Sequence, residues 1–150
     1  MVIRIFRPLG DTRFQVSGMP SPREGEPRNK DWFKDVTGRA IRPTWVAGPN
    51  GWDGHWAIAR EHLTIVAEEL ALRFGEVHVT AHYSTRERCD TRCQNATGDD
   101  CECSCLGVRH GEANQAAWKQ VGATTLIRSA GVAVVDRVVT AKQVRRARAR

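Results

Sequence analysis

The sequence contains no apolar run long enough to cross a membrane. It also lacks the apolar opening of a secretory leader, because residues 1–7 alternate apolar and basic side chains. No cysteine occurs before residue 89 or after residue 105. This excludes the evenly scattered half-cystines of a secreted disulfide scaffold. Both absences lead to the expectation of a cytoplasmic protein with reduced thiols and no membrane partner. Aromatic residues are scarce at 7%, with one tyrosine against five tryptophans. A hydrophobic fraction of 41% in 150 residues nevertheless suffices for one core and one domain.

The standard catalytic signatures are missing as well. There is no glycine-rich phosphate loop, no nucleophile elbow and no paired-carboxylate site in a supporting context, and Asp99 and Asp100 read as turn residues. His110, Gly111 and Glu112 supply the first piece of a zinc-deaminase signature, but the Pro-Cys-x-x-Cys piece that must follow is absent. No catalytic residue is assigned. A binding protein is expected ahead of an enzyme.

The formal net charge of +6 is concentrated at one end, since Lys142, Arg145, Arg146, Arg148 and Arg150 supply five of those charges. The rest of the chain is left with +1 by difference. A basic tail over residues 142–150 attracts phosphate without regard to base sequence, by releasing condensed counterions, so these five residues are the candidate nucleic-acid contacts. The tail shows no apolar face, and helix is expected there only on a partner.

Along the body, residues 2–7 and 13–17 alternate around a turn at residues 8–12 and predict a β-hairpin. Residues 18–30, with three prolines and two glycines, predict an exposed loop. Residues 32–36 predict one helical turn closed by Gly38. Residues 40–46 predict an edge strand that tolerates Pro43, and residues 55–58 another strand. Trp45, Trp52 and Trp56 are close enough in this hairpin to share a buried cluster. The clearest helix is 60–74, where Leu63, Val66, Ala67, Leu70 and Phe74 form a stripe of helical period, and Gly75 stands where a left-handed cap belongs. Residues 76–83 alternate Val77, Val79 and Ala81 against His78, Thr80 and His82, the pattern of a half-buried strand. Residues 118–121, 124–128 and 132–139 predict two or three further strands. The fold class is α+β: a mostly antiparallel sheet with one main helix and a metal-stapled cysteine-rich loop, forming a single domain over residues 1–141.

That loop carries the most informative spacing. Cys89 and Cys93 are four apart and share a face on a helical turn, whereas Cys101, Cys103 and Cys105 are two apart and point one way in a strand. Turn residues between them can bring the two halves together, and Gly107 and Gly111 let His110 fold back as a nitrogen ligand. Cys89, Cys93, Cys101, Cys103, Cys105 and His110 are therefore the candidate metal ligands of segment 89–111, with structural Zn²⁺ the expected metal. Six soft donors exceed what one zinc needs, so an iron–sulfur cluster is the alternative, and a redox role for the surplus thiols the enzymatic one. Arg86, Arg88, Arg92 and Arg109 flank the segment. His78 and His82 read as strand residues outside it.

The runs Ile41 to Trp45, Trp56 to His62 and Leu72 to Val77, and the C-x3-C, C-x-C-x-C and His-Gly spacing of residues 89–111, resemble uncharacterised proteins of actinobacteria and their phages. That resemblance covers roughly residues 30–111 and implies a shared fold and site. More distantly, a lysine-containing turn, a tryptophan strand and a helix in that order resemble the HARP-type module of annealing helicases, which implies DNA engagement. This chain has no helicase motor motifs. Two functions are therefore expected: a metal-stabilised accessory protein that binds nucleic acid, or a phage-type factor that binds or inhibits a host protein. Neither reading fixes an oligomeric state.

Overall fold

The computed structural model describes residues 2–38, 41–49, 54–84, 124–129 and 132–149. The cysteine segment and the strand expected at residues 118–121 lie outside these residues. Elements run in the order β1 (Arg4–Arg7), β2 (Arg13–Ser17), α1 (Asn29–Thr37), β3 (Thr44–Val46), β4 (His55–Ala59), a 3₁₀ turn (Arg60–His62), α2 (Leu63–Phe74), β5 (Glu76–Ser84), β6 (Thr124–Ser129), β7 (Val132–Thr140) and α3 (Ala141–Arg148). The architecture is α+β. Seven strands form one mixed sheet in the order β3-β4-β2-β1-β5-β7-β6.

Five of the six pairings are antiparallel, and the sixth, β1 with β5, is parallel, with Ile5 opposite Val79. The parallel pair follows from connectivity, because β5 arrives through α2, and a crossover of that kind can return the chain in the same direction. Period-2 alternation decides which face is covered. Ile5, Phe14, Val16, Ile58, Val77, Val79 and Val139 are all buried, and α2 lies on them with Leu63, Val66, Ala67, Leu70 and Ala71. Burying one such leucine stabilises by about 2 kcal/mol.

Several boundaries differ from the sequence expectation for identifiable reasons. Helix α1 is nine residues long, because Phe33 is fully buried and packs on Trp56 with ring centroids 5.9 Å apart. Gly38 closes it as expected, at φ 87° in the left-handed conformation. Strand β3 begins only at Thr44, after Pro43, which has no N–H to give a ladder. The first turn of the predicted helix 60–74 is 3₁₀, and the α-helix proper starts at Leu63. Gly75 has φ 98° and ψ −43°, a positive-φ state outside the left-handed helical well. It turns the chain directly into β5, and its carbonyl accepts from the Ala141 amide at 2.9 Å.

The tryptophan cluster also differs. Trp45 and Trp56 meet edge to face at 5.3 Å, but Trp45 is 52% exposed, and Trp52 lies outside the described residues. Trp45 sits on edge strand β3, which among the described residues has a neighbouring strand on one side only.

The loop at residues 18–28 is tied to α2. Glu26 accepts from the Arg73 guanidinium at 2.8 Å and from the Arg23 amide at 3.0 Å. The Arg73 hydrogen bond, and then the backbone one, hold the Glu26 carboxyl below the usual glutamate range. A depressed folded-state pKa means the tie is complete at neutral pH and is lost as pH falls through the carboxylate range to the lowered value. Amide exchange in residues 18–28, corrected for its intrinsic pH dependence, should therefore accelerate on acidification. Glu26→Gln should be fast already at neutral pH and lack that step. In urea denaturation, Val144→Asp, which buries an unpaired charge, should cost about 3 kcal/mol, whereas Val138→Asp, at a position 40% exposed, should cost under about 0.5 kcal/mol.

Candidate nucleic-acid interface

The basic end of the chain is a helix docked on its own domain. Thr140 and Gln143 form a capping box: the Gln143 amide donates to the Thr140 hydroxyl at 3.2 Å, and the Thr140 amide donates to the Gln143 side-chain oxygen at 3.1 Å. One apolar residue, Val144, is fully buried in the main core. The expectation of helix only on an external partner is corrected, because α2 is that partner. A single valine is too little to register as an apolar face, yet it suffices once the helix is capped and anchored at both ends.

Five cations were singled out, and the structure sorts them. Arg148 turns back onto α2, where it bridges Glu68 at 3.1 Å and Glu69 at 2.9 Å. Hydrogen bonds, that to Glu69 first, raise its pKa further into the charged range. Lys142, Arg145 and Arg146 are exposed on the outer side of α3 at spacing i, i+3, i+4. Among the described residues none of these three makes an ion pair. Arg150 lies outside the described residues. Arg145, Arg146 and Arg148 in the last turn also oppose the negative end of the helix dipole, a structural role independent of any ligand.

The predicted metal ligands Cys89, Cys93, Cys101, Cys103, Cys105 and His110, and the flanking Arg86, Arg88, Arg92 and Arg109, all lie outside the described residues. Among the described residues no group of three or more histidine, cysteine, aspartate or glutamate side chains could hold a metal ion. His78 and His82 occupy the strand face expected of them. The His82 ring packs on Phe6 with centroids 5.0 Å apart, and His78 lies 3.6 Å from the Glu76 carboxylate. Beside them the Thr80 hydroxyl donates to the Asp136 carboxylate.

A polar cluster not anticipated from the sequence lies on the covered face beside β5. Arg7 and Arg137 are buried at 1% and 3% exposure, with Tyr83 at 3% between them. The Arg7 guanidinium lies 4.3 Å from the Tyr83 ring centroid and donates to the His82 carbonyl at 3.1 Å, while Arg137 donates to the Tyr83 hydroxyl at 3.3 Å. The signal was available, because Ile3, Ile5 and Arg7, and again Val135, Arg137 and Val139, put arginine in the apolar phase of a strand. The cluster stands at the end of β5 from which the chain continues into the cysteine segment.

No helix among the described residues is long and apolar enough to cross a membrane. No protein-family model, no curated protein and no solved structure matches this chain.

Proposed function

We propose that this protein is a small cytoplasmic accessory protein that binds nucleic acid through the outer side of α3, with a structural zinc held by the cysteine segment. The observation that carries the reading is the placement of Lys142, Arg145 and Arg146 together on a capped helix whose fourth cation, Arg148, is already committed to Glu68 and Glu69. Such a helix presents three cations without the entropy cost of folding on contact. Binding would be largely electrostatic, carried by cation–phosphate contacts that do not depend on base sequence. Five thiols and one imidazole form a soft donor set that suits Zn²⁺, and zinc binding would supply folding free energy to a segment poor in apolar residues. Of the six candidates, four would ligate.

A second reading, a phage-type factor that binds or inhibits a host protein, is favoured by the large exposed indole of Trp45 on an edge strand.

For the first reading, the test is anisotropy with labelled single-stranded and duplex DNA across a salt series. Binding should weaken linearly on a log–log plot. Replacing Lys142, Arg145 and Arg146 by alanine should remove about 2–3 units of that slope and most of the affinity. An unchanged slope would remove α3 from the interface. Elemental analysis of protein purified without oxygen and without a metal-affinity tag should return about one zinc per chain and a colourless solution. Iron with visible absorption would install the iron–sulfur alternative, and no metal at all would sink the metal site.

A further inference from the structure

Strand β3 is one edge of the sheet, and all three of its residues are exposed. Its outward backbone groups form a ready ladder for another extended chain. Behind it lies a cleft of about 300 Å³ lined by Val16, Gly18, Met19, Asn29, Trp45 and Trp56, among others. Three of these residues form a cross-strand row on the covered face, since Val16 is opposite Trp56 and Trp56 opposite Trp45. Among the described residues the row ends at Trp45, on the last strand of the sheet. Gly54 packs closely under the indole and leaves room for it, for a β-carbon at that position would overlap the ring. The wall is therefore built before any ligand arrives.

The two sides of this edge differ chemically. On the cleft side, Asn29 donates its amide to the Pro20 carbonyl at 3.2 Å, which fixes its orientation, and its buried Oδ1 has no hydrogen-bond partner among the described residues. An aromatic-walled cleft of this size suits an aromatic side chain. On the opposite side, the Arg13 guanidinium donates to the Thr44 hydroxyl at 3.0 Å, and Arg42, two residues before Thr44, is exposed. No carboxylate among the described residues pairs with either guanidinium. That side suits an acidic side chain.

We propose that the β3 edge is a docking site for an extended acidic peptide of a partner protein, which adds as an eighth strand beside β3. In an extended chain successive side chains face opposite ways. A segment alternating acidic residues with tyrosine or tryptophan would place carboxylates beside Arg13 and Arg42 and an aromatic ring in the cleft against Trp45. Main-chain hydrogen bonds supply affinity in this mode, and the two unlike faces supply specificity. A nucleic acid would not use the ladder, whose alternating donors and acceptors match another peptide backbone.

The test uses the full chain and a short capped peptide alternating glutamate and tyrosine. The peptide should bind saturably, slow amide exchange in residues 44–46, and lose binding when its alternate amides are methylated. Trp45→Ala should weaken it at least about tenfold, because among the described residues the ring is the largest exposed side chain on this strand. Arg13→Glu combined with Arg42→Glu should reverse the preference toward a peptide alternating lysine and tyrosine. Trp45 is largely exposed, so its alanine variant is expected to fold, and an unchanged circular dichroism melt establishes that. Absence of saturable binding, or binding insensitive to Trp45→Ala, overturns the proposal. So does a concentration-dependent dimer dissolved by Trp45→Ala, which would make a second copy of this chain the occupant. Oligonucleotide binding lost in Trp45→Ala would assign the edge to nucleic acid and likewise overturn it.

Discussion

The parallel seam between β1 and β5 is the constraint on which the rest of the structure depends. On one side of it lies the antiparallel set β3-β4-β2-β1, and on the other the antiparallel set β5-β7-β6. Each set alone would leave an apolar face half covered. Joined in register, with Ile5 opposite Val79, they make one surface wide enough for α2 to cover with Leu63, Val66, Ala67 and Leu70. The helix in turn makes the seam worth forming, because parallel pairing is the weaker ladder and needs burial on its helical side. Helices α1 and α3 then extend the cover, α1 through Phe33 and α3 through Val144.

Charge follows the same geometry. Much of the basic excess sits on α3, and the acidic residues it meets, Glu68 and Glu69, are held on α2 by the helix stripe that packs beneath them. One arginine satisfies those carboxylates, and the spacing of the helix turns Lys142, Arg145 and Arg146 away. The opposite end of the sheet has a different character. There the edge strand presents an indole beside a cleft on one face and two guanidiniums on the other. Four strands lie between β3 and β7, from which α3 continues, so each surface can be altered without disturbing the other.

Elements with strong period were legible in the sequence. The stripe from Leu63 to Phe74 and the alternation from Val77 to Ala81 reflect burial on one face, and burial is what periodicity encodes. The hairpin of β1 and β2 and the pair β6 and β7 were legible for the same reason. What escaped were features set by tertiary contact. Helix α1 extends back to Asn29 because Phe33 finds Trp56. Helix α3 exists because Thr140, Gln143 and Arg148 find partners near and far. Trp45 is exposed on β3, which among the described residues is the last strand on its side of the sheet, and strand order cannot be read from the composition of a single strand. The buried Arg7 and Arg137 were readable as arginines in apolar phase, but their shared contact with Tyr83 required β1, β5 and β7 to be adjacent. For the candidate interface, the five cations were visible, while their division into committed and outward-facing groups depended on Glu68 and Glu69.

The strand order also has a consequence for vectorial synthesis. Strand β5 is complete at Ser84, and it pairs immediately with β1, which was made long before. Its other edge is filled by β7, whose residues 132–140 are joined to β5 only after everything between has been translated. At roughly 5–20 residues per second the ribosome leaves that central strand open on one side for several seconds. Throughout that interval a nine-residue strand exposes unpaired amides and carbonyls to every other nascent chain. Chaperone dependence should therefore be set by how long the ribosome takes to reach β7, and slow codons between residues 85 and 131 would lengthen the vulnerable interval without changing one contact of the finished protein.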